Sequence, residues 1–388
     1  MMKTPLEIYV HIPFCERKCA YCDFLSAPAE ASVRNRYVEA LLCEIQLVPE
    51  REENYEVVSI FFGGGTPSLL TGEQMKRILK TLRTCFAVAE DAEISMEANP
   101  GTVDREKLAA YRQAGVNRLS LGLQSTEDEE LALLGRIHNY ETFLETYRMA
   151  REAGFMNINV DLMSSLPGQS VESWERSLRR IVALEPEHIS AYSLIVEEGT
   201  PFYEKYGEDD RRREEGEDPI WLPTEEEERL MYQRTGEILR EAGYERYEIS
   251  NYSKPGLACR HNEGYWIGVP YLGLGLGASS YIKETRFSNC CELSDYLDAK
   301  GDVSQLREDI CHLTDKERQE EFFFLGLRRM EGVSRERYQE RFGEDWAPYQ
   351  EKIYVLLKQG LLEETEAGIR LSKKGIDVSN GVFAELLS

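Results

Sequence analysis

Cys15-Glu16-Arg17-Lys18-Cys19-Ala20-Tyr21-Cys22 sets three cysteines three and then two residues apart, soon after the apolar run Ile8-Tyr9-Val10. Cysteine thiolates are the usual protein ligands of iron–sulfur clusters, and a four-iron cube takes one ligand per iron. Three thiolates therefore leave one iron open to a small molecule. Short cysteine spacings also bind zinc, but structural zinc wants a fourth Cys or His at matched spacing. The nearest position is occupied by Phe24.

The chain around this stretch has 388 residues, 42% of them apolar, enough for one large domain and a smaller one with a real core. No window approaches the run of about eighteen apolar residues that a membrane span needs. Met1-Met2-Lys3-Thr4-Pro5 leads into a strand pattern without a signal-peptide core, so a cytoplasmic location is expected. Nine cysteines then read as thiols and metal ligands rather than a disulfide framework. The net charge of −24 repels nucleic acid and anionic membranes, so any anionic ligand must be held by a local site.

Strand-like apolar runs recur at 7–12, 57–62, 93–96, 118–123, 157–162 and 188–194, with helical patterns between them. Thr71 with Gln74 forms a capping box, Asn139 caps the next long helix but one, and Ser170 opens the helix that ends near Leu184-Glu185-Pro186. Six βα units with right-handed crossovers predict a partial (βα)6 barrel, short of the eight strands of a closed TIM barrel. Reactive residues of parallel α/β folds sit at the C-terminal strand ends. There this chain carries the cysteine loop, Gly63-Gly64-Gly65-Thr66-Pro67, Glu97, Gln124 and Asp161, with Arg136 in the helical region after the fourth strand. Successive glycines let backbone groups approach a ligand closely.

Three cysteines at this spacing, with Tyr21 before the last, resemble the signature of radical S-adenosylmethionine proteins. Tyr9-Val10-His11-Ile12-Pro13-Phe14-Cys15 through Cys22-Asp23-Phe24, the glycine loop, the Glu97 strand, Leu121-Gly122-Leu123-Gln124-Ser125, and Asp161-Leu162 with Leu166-Pro167-Gly168 extend the match. Together they resemble the oxygen-independent coproporphyrinogen III oxidases and their relatives over nearly the whole chain. The resemblance implies Cys15, Cys19 and Cys22 as ligands of a [4Fe-4S] cluster whose open iron is chelated by the methionine moiety. It implies one-electron cleavage of the sulfonium to a 5′-deoxyadenosyl radical, chemistry that belongs to the cofactor. It further implies Tyr9, Tyr21, Gly64, Gly65, Thr66, Glu97, Gln124, Arg136 and Asp161 as contacts to S-adenosylmethionine, with Tyr21 beside the adenine. No catalytic acid, base or nucleophile is assigned. Two departures argue against the decarboxylating enzyme: it carries a further cysteine where this chain has Phe24, and a long extension before the first strand.

Between residues 197 and 228 the chain is highly charged, which predicts a solvated loop followed by a surface helix from about Glu225 to Ala242-Gly243. Next comes His261-Asn262-Glu263-Gly264-Tyr265-Trp266, then Tyr271-Leu272-Gly273-Leu274-Gly275-Leu276-Gly277. The glycine run lacks GxGxxG spacing and a βαβ setting, so a dinucleotide site is rejected. By spacing alone His261 reads as a core histidine. The segment is similar, however, to one found in the haem chaperone branch of the family, and an imidazole among aromatics suits a haem iron. Covalent c-type attachment is not indicated, since no Cys-x-x-Cys-His occurs.

From Leu313-Thr314-Asp315 onward helices alternate with two short strands around Glu366-Ala367-Gly368, a winged-helix-like pattern. Its 12 basic against 15 acidic residues over 311–388 do not suit DNA. The expectation is therefore a radical S-adenosylmethionine partial barrel with the cluster and cofactor site over 1–200, a barrel extension over 201–300, and a helical, winged-helix-like domain over 301–388. The implied function is a haem chaperone that holds a [4Fe-4S] cluster, S-adenosylmethionine and haem, served by an electron donor and passing haem to an acceptor protein. An oxygen-independent coproporphyrinogen III oxidase is the alternative.

Overall fold

Period-2 alternation decides the first half of the chain. Along the opening strand Leu6, Ile8, Val10 and Ile12 are fully buried in the main apolar core, and the intervening Glu7, Tyr9 and His11 take the opposite face. The computed structural model describes residues 3–387; Met1, Met2 and Ser388, at the margins of the expected first and last segments, lie outside the described residues. The elements alternate as β1 (Thr4–Ile12), α1 (Ala31–Leu47), β2 (Tyr55–Gly64), α2 (Gly72–Cys85), β3 (Val88–Ala98) and α3 (Arg105–Ala114). They continue as β4 (Arg118–Gln124), α4 (Asp128–Leu133), α5 (Tyr140–Glu152), β5 (Ile158–Ser164), α6 (Val171–Val182) and β6 (His188–Ser193). Strands β1 to β6 pair in sequence order and in parallel. Their apolar faces pack on the helices, and the opposite faces form a polar interior. The Thr71–Gln74 capping box and the Asn139 and Ser170 caps form as expected.

The second half adds α7 (Pro201–Glu214), α8 (Glu225–Glu241), β7 (Glu245–Arg246), β8 (Asn251–Ser253), α9 (Arg260–Ile267), β9 (Tyr271–Leu274), β10 (Ser279–Ile282) and β11 (Thr285–Asn289). Then follow α10 (Leu293–Ala299), α11 (Val303–Leu306) and β12 (Arg307–His312). The sheet order is β12-β11-β10-β9-β1-β2-β3-β4-β5-β6-β8-β7, so its two edge strands do not meet and the barrel stays open. One expectation changes, and one strand is added. The charged segment after β6 is not a loop but the helix α7, started by Thr200 as N-cap with Pro201 behind it and laced by Arg211–Glu208 and Arg213–Asp210 pairs one turn apart. The glycine run is a seventh parallel strand, β9, beside β1. The buried Glu44 carboxylate fastens that side by accepting from Gly275 N (2.9 Å), Asn289 Nδ2 (2.6 Å) and Tyr296 Oη (2.5 Å).

The remainder comprises α12 (Asp315–Gly326), β13 (Val333–Ser334), α13 (Arg335–Phe342), α14 (Gln350–Lys358), β14 (Leu362–Glu364), β15 (Gly368–Leu371), α15 (Lys373–Asp377) and α16 (Ser379–Leu387). Its antiparallel sheet has the order β13-β15-β14, and its own apolar core centres on Phe323, Tyr338 and Trp346. The strand β13 is one the sequence pattern did not reveal. Among the described residues no helix is long and apolar enough to cross a membrane.

Candidate cluster and cofactor site

The loop leaving β1 is tied back at several points. Cys15 N donates to Ala27 O (3.2 Å), Ala20 N to Leu134 O (3.1 Å), and Cys22 N to Cys19 O (3.3 Å). His11 at the end of β1 donates through Nε2 to Leu25 O (2.9 Å), which leaves Nδ1 to accept the Tyr9 hydroxyl (3.0 Å). Gly64 and Gly65 are required beside this strand end. A Cβ on Gly64, whose φ is +105°, would strike the His11 ring, and one on Gly65 would stand 2.7 Å from Phe14 O.

Above these residues lies a cavity of about 460 Å³, within the range of small-molecule sites. Cys15, Cys19, Cys22, Tyr21, Gly64, Gly65, Thr66, Glu97, Gln124, Arg136 and Asp161 all line it. Residues from the ends of four strands, β2 to β5, and the cysteine loop thus meet in one place. Tyr9 does not line the cavity; its phenol lies beneath it, against Gly63 and within the field of Glu97. Among the described residues no three His, Cys, Asp or Glu side chains converge on a single metal ion. A four-iron cube takes one thiolate per iron, so its ligands stand further apart, and three thiols on one cavity wall fit it.

Arg136 organises the wall. Its guanidinium donates to Cys19 Sγ (3.5 Å), Asn99 Oδ1 (2.6 Å) and Gly122 O. Asn99 in turn donates to Thr66 Oγ1 (2.9 Å), whose hydroxyl reaches Cys15 Sγ (3.4 Å). Burial opposes the Arg136 charge, but Tyr21 and Cys19 beside it hold its pKa above the ordinary value. A buried cation therefore faces the thiols, where a cluster's negative charge would lie. Burial, with the Asp161 charge added, pushes Glu97 up to about 8, although Gly64 N–H bonds its carboxylate. Asp161 is also raised by burial, against hydrogen bonds from Ser120 and Asn159. Two carboxylates that resist ionisation in the empty cavity suit a cationic, hydroxyl-bearing ligand.

Asn99 and Tyr192 are site residues that the sequence reading missed. Asn99 sits two residues past Glu97, so strand alternation puts it on the same face. Tyr192 donates to Gln124 Oε1 (2.8 Å) from the C-terminal end of β6, where the strand-end rule would have found it. The cysteine loop is backed by α7: Phe202 packs edge-on to Tyr21 at 6.3 Å, and its N–H donates to Ala20 O (3.0 Å).

His261 is not part of this cavity. It lies on α9 beside the lower barrel interior, stacked on Phe61 at 5.2 Å, with Nδ1 2.8 Å from Ser59 Oγ. Ser59 pairs in register with Glu7 and Glu93, well before the strand ends that bear the cavity.

Residues 9–181 match the Radical SAM superfamily, and residues 313–378 match the HemN C-terminal domain. The heme chaperone HemW of Bacillus subtilis is 36% identical over 98% of both chains. The chain belongs to the HemW family. HemW of Escherichia coli is 37% identical over 85% of this chain and 84% of its own. Among solved structures, coproporphyrinogen III oxidase (HemN) from Escherichia coli superposes with a TM-score of 0.84 at 25% identity, covering 100% of this chain and 91% of that one. The radical S-adenosylmethionine fold expected from the cysteine spacing is therefore shown. The open parallel sheet with its added C-terminal region is the architecture that this chain shares with that oxidase.

Proposed function

We propose that this protein is a haem chaperone that carries a [4Fe-4S] cluster on Cys15, Cys19 and Cys22, binds S-adenosylmethionine in the adjoining cavity, and passes haem to an acceptor protein. The observation that carries this reading is similarity to a heme chaperone along 98% of both chains. When bound, the cluster supplies a single electron to S-adenosylmethionine. The protein's part is to orient and enclose: Arg136 compensates negative charge at Cys19, Glu97 and Asp161 offer acceptors to hydroxyl or ammonium groups, and Tyr21 under Phe202 offers an apolar face.

His261 is the proposed haem ligand, and its hydrogen bonds favour that role. Ser59 Oγ donates to Glu7 Oε1 (3.0 Å), so it accepts from His261 Nδ1–H, and the Nε2 lone pair is left for a metal. Iron-ligating imidazoles commonly donate their other nitrogen to such a partner. Burial holds His261 down to about 4, which keeps the ring neutral. The side chain is only 11% exposed, so haem approach requires α9 to shift outward.

An anaerobic haem titration of cluster-reconstituted protein, followed by Soret absorbance in wild type and His261→Ala, tests the reading. Saturable binding that the substitution weakens or alters spectrally is expected. Absence of saturable binding would refute the chaperone reading. The oxidase fold match at a TM-score of 0.84 supports a second reading, coproporphyrinogen III decarboxylation. Turnover of that substrate under anaerobic reducing conditions would establish it.

A further inference from the structure

Asn159 and Asp161 lie two residues apart on β5, so both face the barrel interior, Asp161 on the cavity wall and Asn159 below it. Asn159 Nδ2 donates to Asp161 Oδ1 (2.7 Å) and to Ser120 Oγ (2.7 Å). Ser120 donates its own hydroxyl to Asp161 Oδ2 (2.9 Å). With both amide hydrogens spent upward, Asn159 Oδ1 points down and accepts from Ser190 Oγ (3.2 Å) and His188 Nδ1 (2.6 Å).

An amide oxygen only accepts, so His188 must carry its proton on Nδ1 and leave Nε2 bare. Nε2 lies 2.8 Å from Tyr247 Oη and takes that hydroxyl's hydrogen. Tyr247, His188 and Asn159 thus donate in one direction, and the sequence of bonds ends on the Asp161 carboxylate. His188 is fully buried, and burial with the nearby Arg118 guanidinium keeps it neutral, which a relay of this polarity demands.

We infer that His188 is a positioning residue for the cofactor cavity: as the Nδ1–H tautomer it locks the Asn159 amide with its N–H toward Asp161 and so fixes that carboxylate's orientation. Without this donor only the longer Ser190 Oγ bond (3.2 Å) holds the oxygen down, and a flip of the amide would turn that oxygen toward Asp161 and set two acceptors against each other. The inference rests on reading the cavity as the S-adenosylmethionine site.

The test pairs two measurements on cluster-reconstituted protein. Equilibrium dialysis with S-adenosylmethionine compares wild type, His188→Leu, His188→Asn and Tyr247→Phe, with iron content measured on each sample. Asparagine keeps an N–H near the Nδ1 position, whereas leucine removes it. The expected result is affinity lowered about 10- to 100-fold in His188→Leu, largely rescued in His188→Asn, and lowered less in Tyr247→Phe, with iron content unchanged throughout. Affinity in soluble His188→Leu equal to wild type, or no rescue by asparagine, overturns the inference. Long-range ¹⁵N–¹H spectra of histidine-labelled protein, assigned by the His188→Asn variant, report the tautomer without any cofactor. A neutral Nδ1–H signature supports the relay, and an Nε2–H or doubly protonated ring overturns it. If wild type binds no S-adenosylmethionine, the reading of the cavity fails, and the spectra alone decide the tautomer and with it the relay.

Discussion

The Arg136 guanidinium stands 3.5 Å from Cys19 Sγ, joining a loop after β1 to a residue 117 positions later. The same group holds Asn99 and Gly122 O, so one buried cation ties the cysteine loop to the ends of β3 and β4. Arg136→Met removes the charge and leaves a chain of similar reach. We predict that its cluster becomes harder to reduce, by on the order of tens of millivolts, because an added electron loses a nearby positive charge. A redox titration followed by electron paramagnetic resonance measures this. An unchanged or more positive potential would show that the charge is screened from the cluster.

Cys19→Ser exchanges a thiolate for a poor iron ligand. The variant is expected to reconstitute with little iron and without the cluster's visible absorbance. Iron content equal to wild type would remove Cys19 from the ligand set.

Gly65→Ala tests the backbone contact under the loop rather than the thiols themselves. Its Cβ would meet Phe14 O at 2.7 Å and Ile12 O at 2.9 Å, and neither is a side-chain end that can swing away. The loop must shift, so cluster loading should fall severalfold although all three cysteines remain. Gly381→Ala, where a Cβ meets nothing within 4 Å, serves as the control. Equal loading of the two variants would count against the contact.

Glu97 titrates at about 8 instead of the ordinary 4.5, so its ionisation opposes the folded state. Its contribution to stability is fully present below the ordinary value and is lost as pH rises through about 8. In the cofactor-free protein, the fall in Tm between about pH 6 and 9 should therefore be shallower in Glu97→Gln than in wild type. Parallel curves would place the titration elsewhere.

Phe202 is buried edge-on against Tyr21. Phe202→Ala is expected to cost about 3 kcal/mol in thermal or denaturant unfolding and to weaken S-adenosylmethionine binding, because Tyr21 loses the ring that orients it. Full stability with unaltered affinity would show that α7 does not position Tyr21.

Much of this was legible in the residue order. Helix caps such as Thr71 with Gln74 are local bonds between neighbours in sequence, and they form where their residues stand. The six strands were legible because one face of each is apolar and packed on helices. Asn99 and Tyr192 obey the same strand-end rule as Glu97 and Gln124, but the first lies beyond the apolar run and the second reads as one more apolar residue within it. The strand β9 was not anticipated because its glycines interrupt the apolar run that marks the other strands; they serve close packing, and a Cβ on Gly273 would lie 2.3 Å from Ser279 O. The α7 segment was hidden because its charges read as solvated, whereas Phe202 and Tyr206 turn into an apolar cluster with Leu134, Met163 and Leu166.

By itself the sequence determined the three-cysteine loop, the βα succession and the strand ends at which chemistry collects, because spacing and periodicity are properties of near neighbours along a chain. Only the tertiary structure decided that Arg136 faces Cys19, that His188 is bonded through Asn159 to Asp161, and that His261 lies outside the cofactor cavity. Those relations depend on the register between strands and on which helix covers which end of the barrel. Register and packing are set by the summed burial of the whole core, which no single stretch encodes.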